Sequence, residues 1–148
     1  MSLEWFQKVS RRQPMSEQEL SVADVLGEVG VAYEVHKAFD LGRSGLISVD
    51  FYVGSLSRPT VIECVYTSCR QGTALSFLRR QALWVDWKFA RLKERIPMAV
   101  CIALVEAPRV RERRLRGAIT PFLSHADRVA FSCRGLRGIL RSLGSWGG

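Results

Sequence analysis

The sequence predicts one α/β domain of 148 residues in which helices flank a mixed β-sheet. The first observation is a hairpin pattern, since Ser48–Tyr66 holds two largely apolar strands joined by a polar connection. The second is a long amphipathic helix from Thr73 to Arg95, and the third is the apolar, strand-length run Met98–Val105. A strand, a long helix and a strand in this order imply a right-handed crossover beside an antiparallel meander.

The first helix is predicted to begin after Ser16 and to end at Gly30. The segment Ser16-Glu17-Gln18-Glu19 has the form of a capping box, in which the Glu19 side chain bonds back to the Ser16 amide. Glu19 also lies at the edge of the core-facing stripe, within reach of a site on the sheet. Both interpretations of Glu19 stay open.

Three strands of an antiparallel meander follow. Val31–Lys37 is the first, Asp40–Gly45 is a turn, and the hairpin supplies the other two. Alternation in the second strand predicts that its apolar side chains share one face: Ile47, Val49, Phe51 and Val53. If the hairpin is symmetric about the Leu56–Ser57 bond, Asp50 lies directly opposite Glu63.

Two carboxylates directly opposite each other on one face of a strand pair repel each other. A divalent cation between Asp50 and Glu63 explains such a pair, because hard cations such as Mg²⁺ bind carboxylate oxygens. The alternative is a register slipped by one residue, which turns one of the two carboxylates toward solvent.

The rest of the chain is more basic. Beyond the apolar strand, the pattern predicts a basic segment at Pro108–Arg116, a last strand at Arg128–Cys133 and a basic helix at Gly135–Leu143. Residues 1–15 form a polar leader, and residues 107–148 form a basic C-terminal third of the same single domain.

The net charge of +8 is unevenly distributed. From Ala107 onward, nine arginines stand against Glu112 and Asp127, which gives this region +7 and leaves +1 for the first 106 residues. Such a region favours a polyanionic partner such as nucleic acid, while the alternative is a solvated arginine-rich surface. The candidate nucleic-acid contacts are Arg109, Arg111, Arg113, Arg114 and Arg116.

No apolar run reaches membrane-spanning length and the N-terminus lacks a secretory signal, so we expect no membrane partner. The cysteines match neither a zinc pattern nor a disulfide scaffold: Cys64, Cys69, Cys101 and Cys133. Reduced thiols predict an intracellular, cytoplasmic protein.

The order of elements, with Asp50, twelve intervening residues and Glu63-Cys64-Val65, resembles the PD-(D/E)xK nuclease superfamily, also called the restriction-endonuclease-like fold. The resemblance extends over Ser16–Leu143 as an order of elements, while the sequence motif itself is short. It implies a nuclease that hydrolyses DNA phosphodiester bonds with Mg²⁺ or Mn²⁺, in repair, recombination or restriction.

The resemblance also implies roles for particular residues. Asp50 and Glu63 are similar to the two metal-binding acids of the family, the Cys64 carbonyl to a third metal ligand, and Glu19 to the glutamate of the first helix. In that family a lysine two residues after the glutamate orients or deprotonates the attacking water, and Val65 stands at that position here.

Valine supplies neither charge nor a base, so either another cation takes over or catalysis is lost. The candidates for a relocated cation are Lys37 on the first strand and, on the long helix, Arg79, Arg80 and Lys88. We place Lys37 and Arg79 in the predicted catalytic set, together with Asp50, Glu63 and Glu19.

Three functions compete. A metal-dependent DNA nuclease requires Asp50 and Glu63 to converge on one face, with neither acid locked into an ordinary ion pair. A catalytically degenerate nucleic-acid-binding module predicts salt-sensitive binding without cleavage. A protein-interaction domain predicts a homodimer through Trp84 and Trp87, a helix stripe that is also typical of core or of a base-stacking surface.

Overall fold

The computed structural model describes residues 15–145, so most of the predicted leader lies outside the described residues. Four helices and five strands form within this range. In chain order they are α1 (Glu17–Val29), β1 (Glu34–Asp40), β2 (Leu46–Val53), β3 (Thr60–Tyr66), α2 (Gln71–Arg95), β4 (Val100–Glu106), α3 (Glu112–Ile119), β5 (Arg128–Ala130) and α4 (Cys133–Ser145).

The five strands form one sheet in the order β1-β2-β3-β4-β5. The first three pair antiparallel as a meander, whereas β4 runs parallel to both β3 and β5. The α2 helix connects β3 to β4 and therefore makes the predicted crossover. The prediction of an α/β fold whose mixed sheet combines an antiparallel meander with a crossover strand is confirmed.

The helices cover both faces of the sheet. The predicted apolar stripe of α2 is buried: Leu78, Ala82, Val85, Phe89 and Leu92. Beneath α2 and α3, this stripe packs on Val65 and Ala103 of the central strands. On the other face, Leu26 of α1 and Leu136 of α4 pack on Ile62. Burial of both faces explains why β4 is apolar throughout.

Both predicted ends of α1 are confirmed. Ser16 Oγ accepts a 3.1 Å bond from the Glu19 N–H, and the Ser16 N–H donates to Glu19 Oε1 at 3.2 Å. Gly30 ends the helix with φ of 81°, in the left-handed region that glycine tolerates best. The capping interpretation of Glu19 is therefore correct.

Some element bounds differ from the prediction. β1 begins at Glu34 rather than Val31, because Val31 and its neighbours connect the end of α1 to the sheet. β5 ends at Ala130, since α4 already begins at Cys133. No helix in residues 15–145 combines the length and the apolar character that crossing a membrane demands.

The register of the β2–β3 hairpin is the predicted one. Its ladder pairs are Phe51–Ile62, Tyr52–Val61 and Val53–Thr60, which continue the symmetry that sets Asp50 against Glu63. A slipped register is therefore excluded for the paired part of the hairpin.

The apolar side chains of β2 do not share one face, so that prediction is wrong. Ile47 and Val49 pack in the cluster beneath α2 that includes Leu92. Phe51 and Val53 pack in the cluster beneath α1 and α4. The alternation of side chains therefore shifts by one position between Val49 and Phe51.

This shift coincides with a left-handed residue on the neighbouring strand. His36 of β1 has φ of 51° and lies between the ladder pairs Val35–Phe51 and Lys37–Val49, opposite Asp50. A positive φ is uncommon for a residue other than glycine, and such an irregularity re-aims the side chains that follow. His36 and Asp50 thus face each other where the sheet changes its alternation.

Candidate functional site

The candidate site lies where β2 and β3 separate. Their ladder covers three pairs and ends at Phe51–Ile62, although both strands continue beyond it. We call the region beyond this pair the fork, which is bounded by Ser48–Asp50 of β2 and Glu63–Tyr66 of β3. Backbone groups inside the fork need partners other than the opposite strand.

Four side chains supply such partners, namely Gln18, Gln81, Asp50 and Lys88, and the last two are charged. Asp50 Oδ2 accepts a 2.7 Å bond from the backbone N–H of Cys64. Lys88 Nζ, from α2, donates to the carbonyl of Ser48 at 3.2 Å. Each bond satisfies a backbone group and, in return, fixes a charged side chain between the strands.

Glu63 and Lys88 form a buried ion pair in the fork. The Glu63 residue is 2% exposed and Lys88 is 8% exposed, and Lys88 Nζ lies 2.5 Å from Glu63 Oε1. Burial raises the pKa of Glu63 well above its ordinary value, and the charge and hydrogen bonding of Asp50 raise it further, while Lys88 lowers it. The charge of Asp50 is therefore part of the electrostatic environment of Glu63.

Lys88 changes what the acid pair implies. Its ammonium and the Cys64 N–H compensate the repulsion between Asp50 and Glu63, so the pair by itself does not require a metal ion. Glu63 is also ion-paired, so the requirement that neither acid be held in an ion pair is not met. The partner, however, is one of the candidates for a relocated motif cation, and it lies beside the acids.

The packing of Val65 disfavours a lysine at this position. Val65 is fully buried beneath α2, in a cluster with Leu78 and Val85. A lysine at position 65 would bury its ammonium among these apolar side chains, at a large desolvation cost. Lys88 reaches Glu63 from α2 and finds two oxygen partners.

A second group of potential metal ligands lies on the α1 side of Asp50. Glu19 Oε2 lies 2.5 Å from His36 Nε2, while Glu19 Oε1 caps α1. Ligand atoms of Glu19, His36 and Asp50 all lie within 4.8 Å of one another. Both interpretations of Glu19 therefore hold, because one oxygen serves the helix and the other reaches the cluster.

His36 is the residue that sequence reasoning missed. No sequence motif pointed to His36, because the residues around it match neither a metalloprotease helix nor a catalytic triad. Its place opposite Asp50 depends on the β1–β2 register, for which the Ala38–Ser48 pair is an example. A register prediction for this pair of strands, like the one made for β2–β3, is the signal that would have found it.

The other predicted catalytic cations lie apart from the acids. Lys37 Nζ lies 3.2 Å from Glu34 and 5.3 Å from the ring centroid of Tyr52. Arg79 is exposed on α2. Within residues 15–145, neither contacts Asp50 or Glu63, so Lys88 is the cation that the fold brings to them.

Cys64 enters the site through its backbone. Its N–H is bonded to Asp50, and the role of its carbonyl as a metal ligand stays a prediction. Burial and the surrounding carboxylates raise the pKa of its thiol, so the Cys64 side chain is a neutral thiol and a poor metal ligand.

The predicted arginine contacts lie near the same edge of the sheet as the open end of the fork. All five follow the carboxyl end of β4 and are exposed: Arg109, Arg111, Arg113, Arg114 and Arg116. β2 runs antiparallel to β3, and β4 runs parallel to it, so the open end of the fork and the end of β4 share one edge. A polyanion bound to the arginines thus lies toward the fork.

Two tryptophans lie on α2 next to Lys88. The Trp84 and Trp87 rings are stacked, with centroids 5.2 Å apart and an interplanar angle of 8°. Lys88 Nζ lies 5.7 Å from the Trp84 centroid, and Trp84 is 57% exposed. The stripe is therefore not core at Trp84, and the dimer and base-stacking interpretations stay predictions.

No protein-family model matches the chain, and no curated protein matches it significantly. A solved structure with a similar chain path is the crystal structure of AF1548, a protein of unknown function, at 13% sequence identity and a TM-score of 0.46. The alignment covers 84% of this chain and 64% of that one. A likeness of this degree identifies neither a family nor an activity.

Proposed function

We propose that this chain hydrolyses phosphodiester bonds of nucleic acid, DNA in preference to RNA, with a divalent metal ion at the fork. One observation carries the proposal. Asp50 raises the pKa of Glu63, the partner of Lys88, and its potential ligand oxygen lies within 4.8 Å of those of Glu19 and His36. Contiguous carboxylates, an imidazole and an ammonium are the groups that metal-assisted hydrolysis uses.

The residues that fit a metal ion are Glu19, His36 and Asp50. When bound, a divalent ion supplies positive charge to the phosphate and lowers the pKa of a water molecule. Because Mg²⁺ prefers oxygen donors whereas an imidazole suits transition metals, this set favours Mn²⁺ over Mg²⁺. Glu63 and the Cys64 carbonyl remain proposed additional ligands.

Lys88 supplies the positive charge that Val65 cannot. Its ammonium is held by the Glu63 carboxylate and the Ser48 carbonyl, so its position is fixed before a substrate binds. A preorganised cation stabilises negative charge that develops on phosphate oxygens as the bond to the leaving group breaks. In this role Lys88 is a charge stabiliser and Glu63 is the positioning residue that holds it.

Protonation of Glu63 controls how much of the Lys88 charge is available. Burial and Asp50 raise the pKa of Glu63, so its carboxyl takes up a proton more readily than an exposed one. A protonated Glu63 no longer neutralises Lys88, and the ammonium then acts fully on the phosphate. The proposed activity therefore requires this proton, because the closed Glu63–Lys88 pair does not meet the expectation of unpaired acids.

The test is cleavage of plasmid and branched DNA by the purified chain with Mn²⁺. Asp50→Ala and Glu63→Ala are compared with Asp24→Ala, which removes an exposed acid of α1 that lies outside the fork. We expect the two fork variants to lose cleavage while retaining the fold by circular dichroism, and the control to keep it. Unchanged cleavage in the fork variants would remove the site assignment.

A catalytically degenerate nucleic-acid-binding module is the second candidate. The observation that favours it is the closed Glu63–Lys88 pair, which leaves both charges almost inaccessible to solvent. This candidate predicts DNA binding that weakens with salt and no cleavage with either Mg²⁺ or Mn²⁺. The same cleavage assay therefore separates the two candidates.

A further inference from the structure

A cavity of about 540 Å³ opens beside the start of α3. Its lining residues come from the starts of two helices: Gln71, Arg111, Arg113 and Arg114. With its amide oxygen turned toward Arg114, Gln71 accepts a bond of 2.6 Å from Nη1 of that guanidinium. This bond fixes one arginine at the wall of the cavity.

Among residues 15–145, no acidic side chain compensates the positive charge of this cavity. Glu112, the acidic neighbour in sequence, pairs with Arg116 at 3.6 Å and is not part of the lining. In the part of the chain that the structure describes, Arg111 and Arg113 make no ion pair. Three guanidinium groups therefore line a space to which residues 15–145 contribute no anionic side chain.

Backbone N–H groups at the starts of two helices add to the positive electrostatic potential of the cavity. Both helices that meet here begin without a side-chain cap, α2 after Arg70 and α3 after Arg111. The first N–H groups of a helix have no partner within the helix and carry partial positive charge. They supplement the arginines, which themselves bind phosphate oxygens in a bidentate geometry.

We propose that this cavity binds a terminal phosphate of nucleic acid, the monoester at a 5′ or 3′ end. A phosphate monoester carries about −1.5 to −2 charge at neutral pH, and it therefore matches three arginines better than an internal diester with its single charge. The inference rests on the proposed nucleic-acid substrate and adds recognition of its ends.

The geometry of α2 relates the cavity to the fork. Gln71 begins α2 and Lys88 lies seventeen residues later on the same helix, which is about 25 Å along its axis. At about 3.4 Å per nucleotide of a duplex strand, this offset corresponds to about seven nucleotides. An end held in the cavity thus places a phosphodiester several nucleotides inward at Lys88.

The test is binding of fluorescent oligonucleotides of one sequence, measured by anisotropy at constant salt in EDTA. Three of the four arms use oligonucleotides that carry a 5′-phosphate, a 3′-phosphate or no terminal phosphate. In the fourth arm, inorganic phosphate alone competes with the bound oligonucleotide. We expect one phosphorylated end to bind about tenfold more tightly than the unphosphorylated oligonucleotide, as for one added charged hydrogen-bonding group. The double variant R111Q/R113Q should lose this preference.

The matched control is the double variant R134Q/R141Q, which removes two exposed arginines of α4 and should keep the preference. Equal affinity for all oligonucleotides, or a preference that survives in R111Q/R113Q, would overturn the inference. So would inorganic phosphate that binds the cavity while the oligonucleotides show no difference. Because EDTA suppresses metal-dependent cleavage, a failed nuclease assay leaves these outcomes unaffected.

Discussion

Asp50 joins the two halves of the fork because its carboxylate lies between the strands. One of its oxygens accepts the Cys64 N–H, and its charge raises the pKa of Glu63. Asp50 lies opposite His36, and the potential ligand atoms of Asp50, His36 and Glu19 lie within 4.8 Å of one another. At the scale of single residues, the proposed activity therefore depends on a contiguous row of ionisable groups.

The role of Lys88 is open to direct test. We expect Lys88→Met to lower the rate of Mn²⁺-dependent cleavage about 10²- to 10³-fold, as removal of a preorganised charge stabiliser does. Lys93→Met is the matched control, because Lys93 pairs with Asp127 outside the fork. Removing one partner of a buried pair also costs about 3–5 kcal/mol of stability, so the assay includes circular dichroism and a thermal melt. A folded Lys88→Met with full activity would contradict the assigned role.

Glu63 makes the free energy of unfolding depend on pH. Its pKa is raised in the folded state, so the folded state holds the Glu63 proton more tightly than the unfolded state. This stabilising contribution is complete below the ordinary carboxyl pKa of 4.5 and is lost as the pH rises toward the folded-state pKa. The groups that face Glu63 are Asp50 and Lys88.

We therefore expect Glu63→Gln, which cannot ionise, to flatten the decline of stability above pH 4.5. The measurement is urea unfolding in EDTA at several pH values, beginning near pH 4.5 and rising. Glu17→Gln, at an exposed position of α1, is the control and should leave the pH profile unchanged. A constant difference between wild type and Glu63→Gln across the pH range would show that Glu63 does not titrate as stated.

At the scale of elements, the features found from sequence are those encoded by neighbours in the chain. The capping box at Ser16, the apolar stripe of α2 and the hairpin register each follow from a pattern within one or two adjacent segments. The change of face in β2 could not be predicted this way. It depends on His36 of β1, whose backbone has a positive φ. Contacts with this neighbouring strand override the simple alternation of side chains in β2.

The residues of the candidate site also divide into those predictable from the sequence and those that depend on tertiary packing. The opposition of Asp50 and Glu63 was predicted from the hairpin register, and the family resemblance added Glu19 and the roles of all three. The register is confirmed, and a ligand atom of Glu19 lies within 4.8 Å of one of Asp50, while the site roles stay predictions. Lys88 was one of several candidate cations, and sequence spacing alone could not choose among residues on the helix and on β1. The choice depends on how α2 packs over the fork, which only the three-dimensional structure gives.

The position of His36 opposite Asp50, in the irregular part of the β1–β2 pair, leads to a prediction about metal binding. Mn²⁺ at about 100 times its dissociation constant should stabilise the chain by about 2.7 kcal/mol, seen as a higher Tm. His36→Gln should lose most of this gain because it removes one of three proposed ligands. His125→Gln is the matched control, since His125 pairs with Asp86 away from the fork. Equal Tm gains in both variants would exclude His36 as a ligand.

At the scale of the whole molecule, most of the positive charge lies apart from the proposed catalytic groups but at the same edge of the sheet. The arginines after β4 carry most of the net charge, and the carboxylates lie in the fork. Composition alone predicted a polyanionic partner, whereas the common edge depends on the strand order. The charge of the chain therefore favours a polyanionic partner, and the strand order places the arginines and the fork at the same edge of the sheet.

Binding of DNA through these arginines should depend steeply on salt. The logarithm of the association constant should fall linearly with the logarithm of salt concentration, with a slope of about −0.9 for each phosphate contacted. Arg109→Gln should reduce the magnitude of the slope by about one, with Arg134→Gln as a control outside the segment. A salt-independent affinity would exclude these arginines as phosphate contacts.

The most direct measurement of the central claim is the initial rate of plasmid nicking over a range of Mn²⁺ concentrations, for wild type and Asp50→Asn in parallel. If the fork is a metal-dependent hydrolytic site, the wild-type rate rises with Mn²⁺ to saturation and the folded Asp50→Asn protein stays at background. Equal rates for the two proteins, or no nicking by wild type at any Mn²⁺ concentration, would contradict that claim.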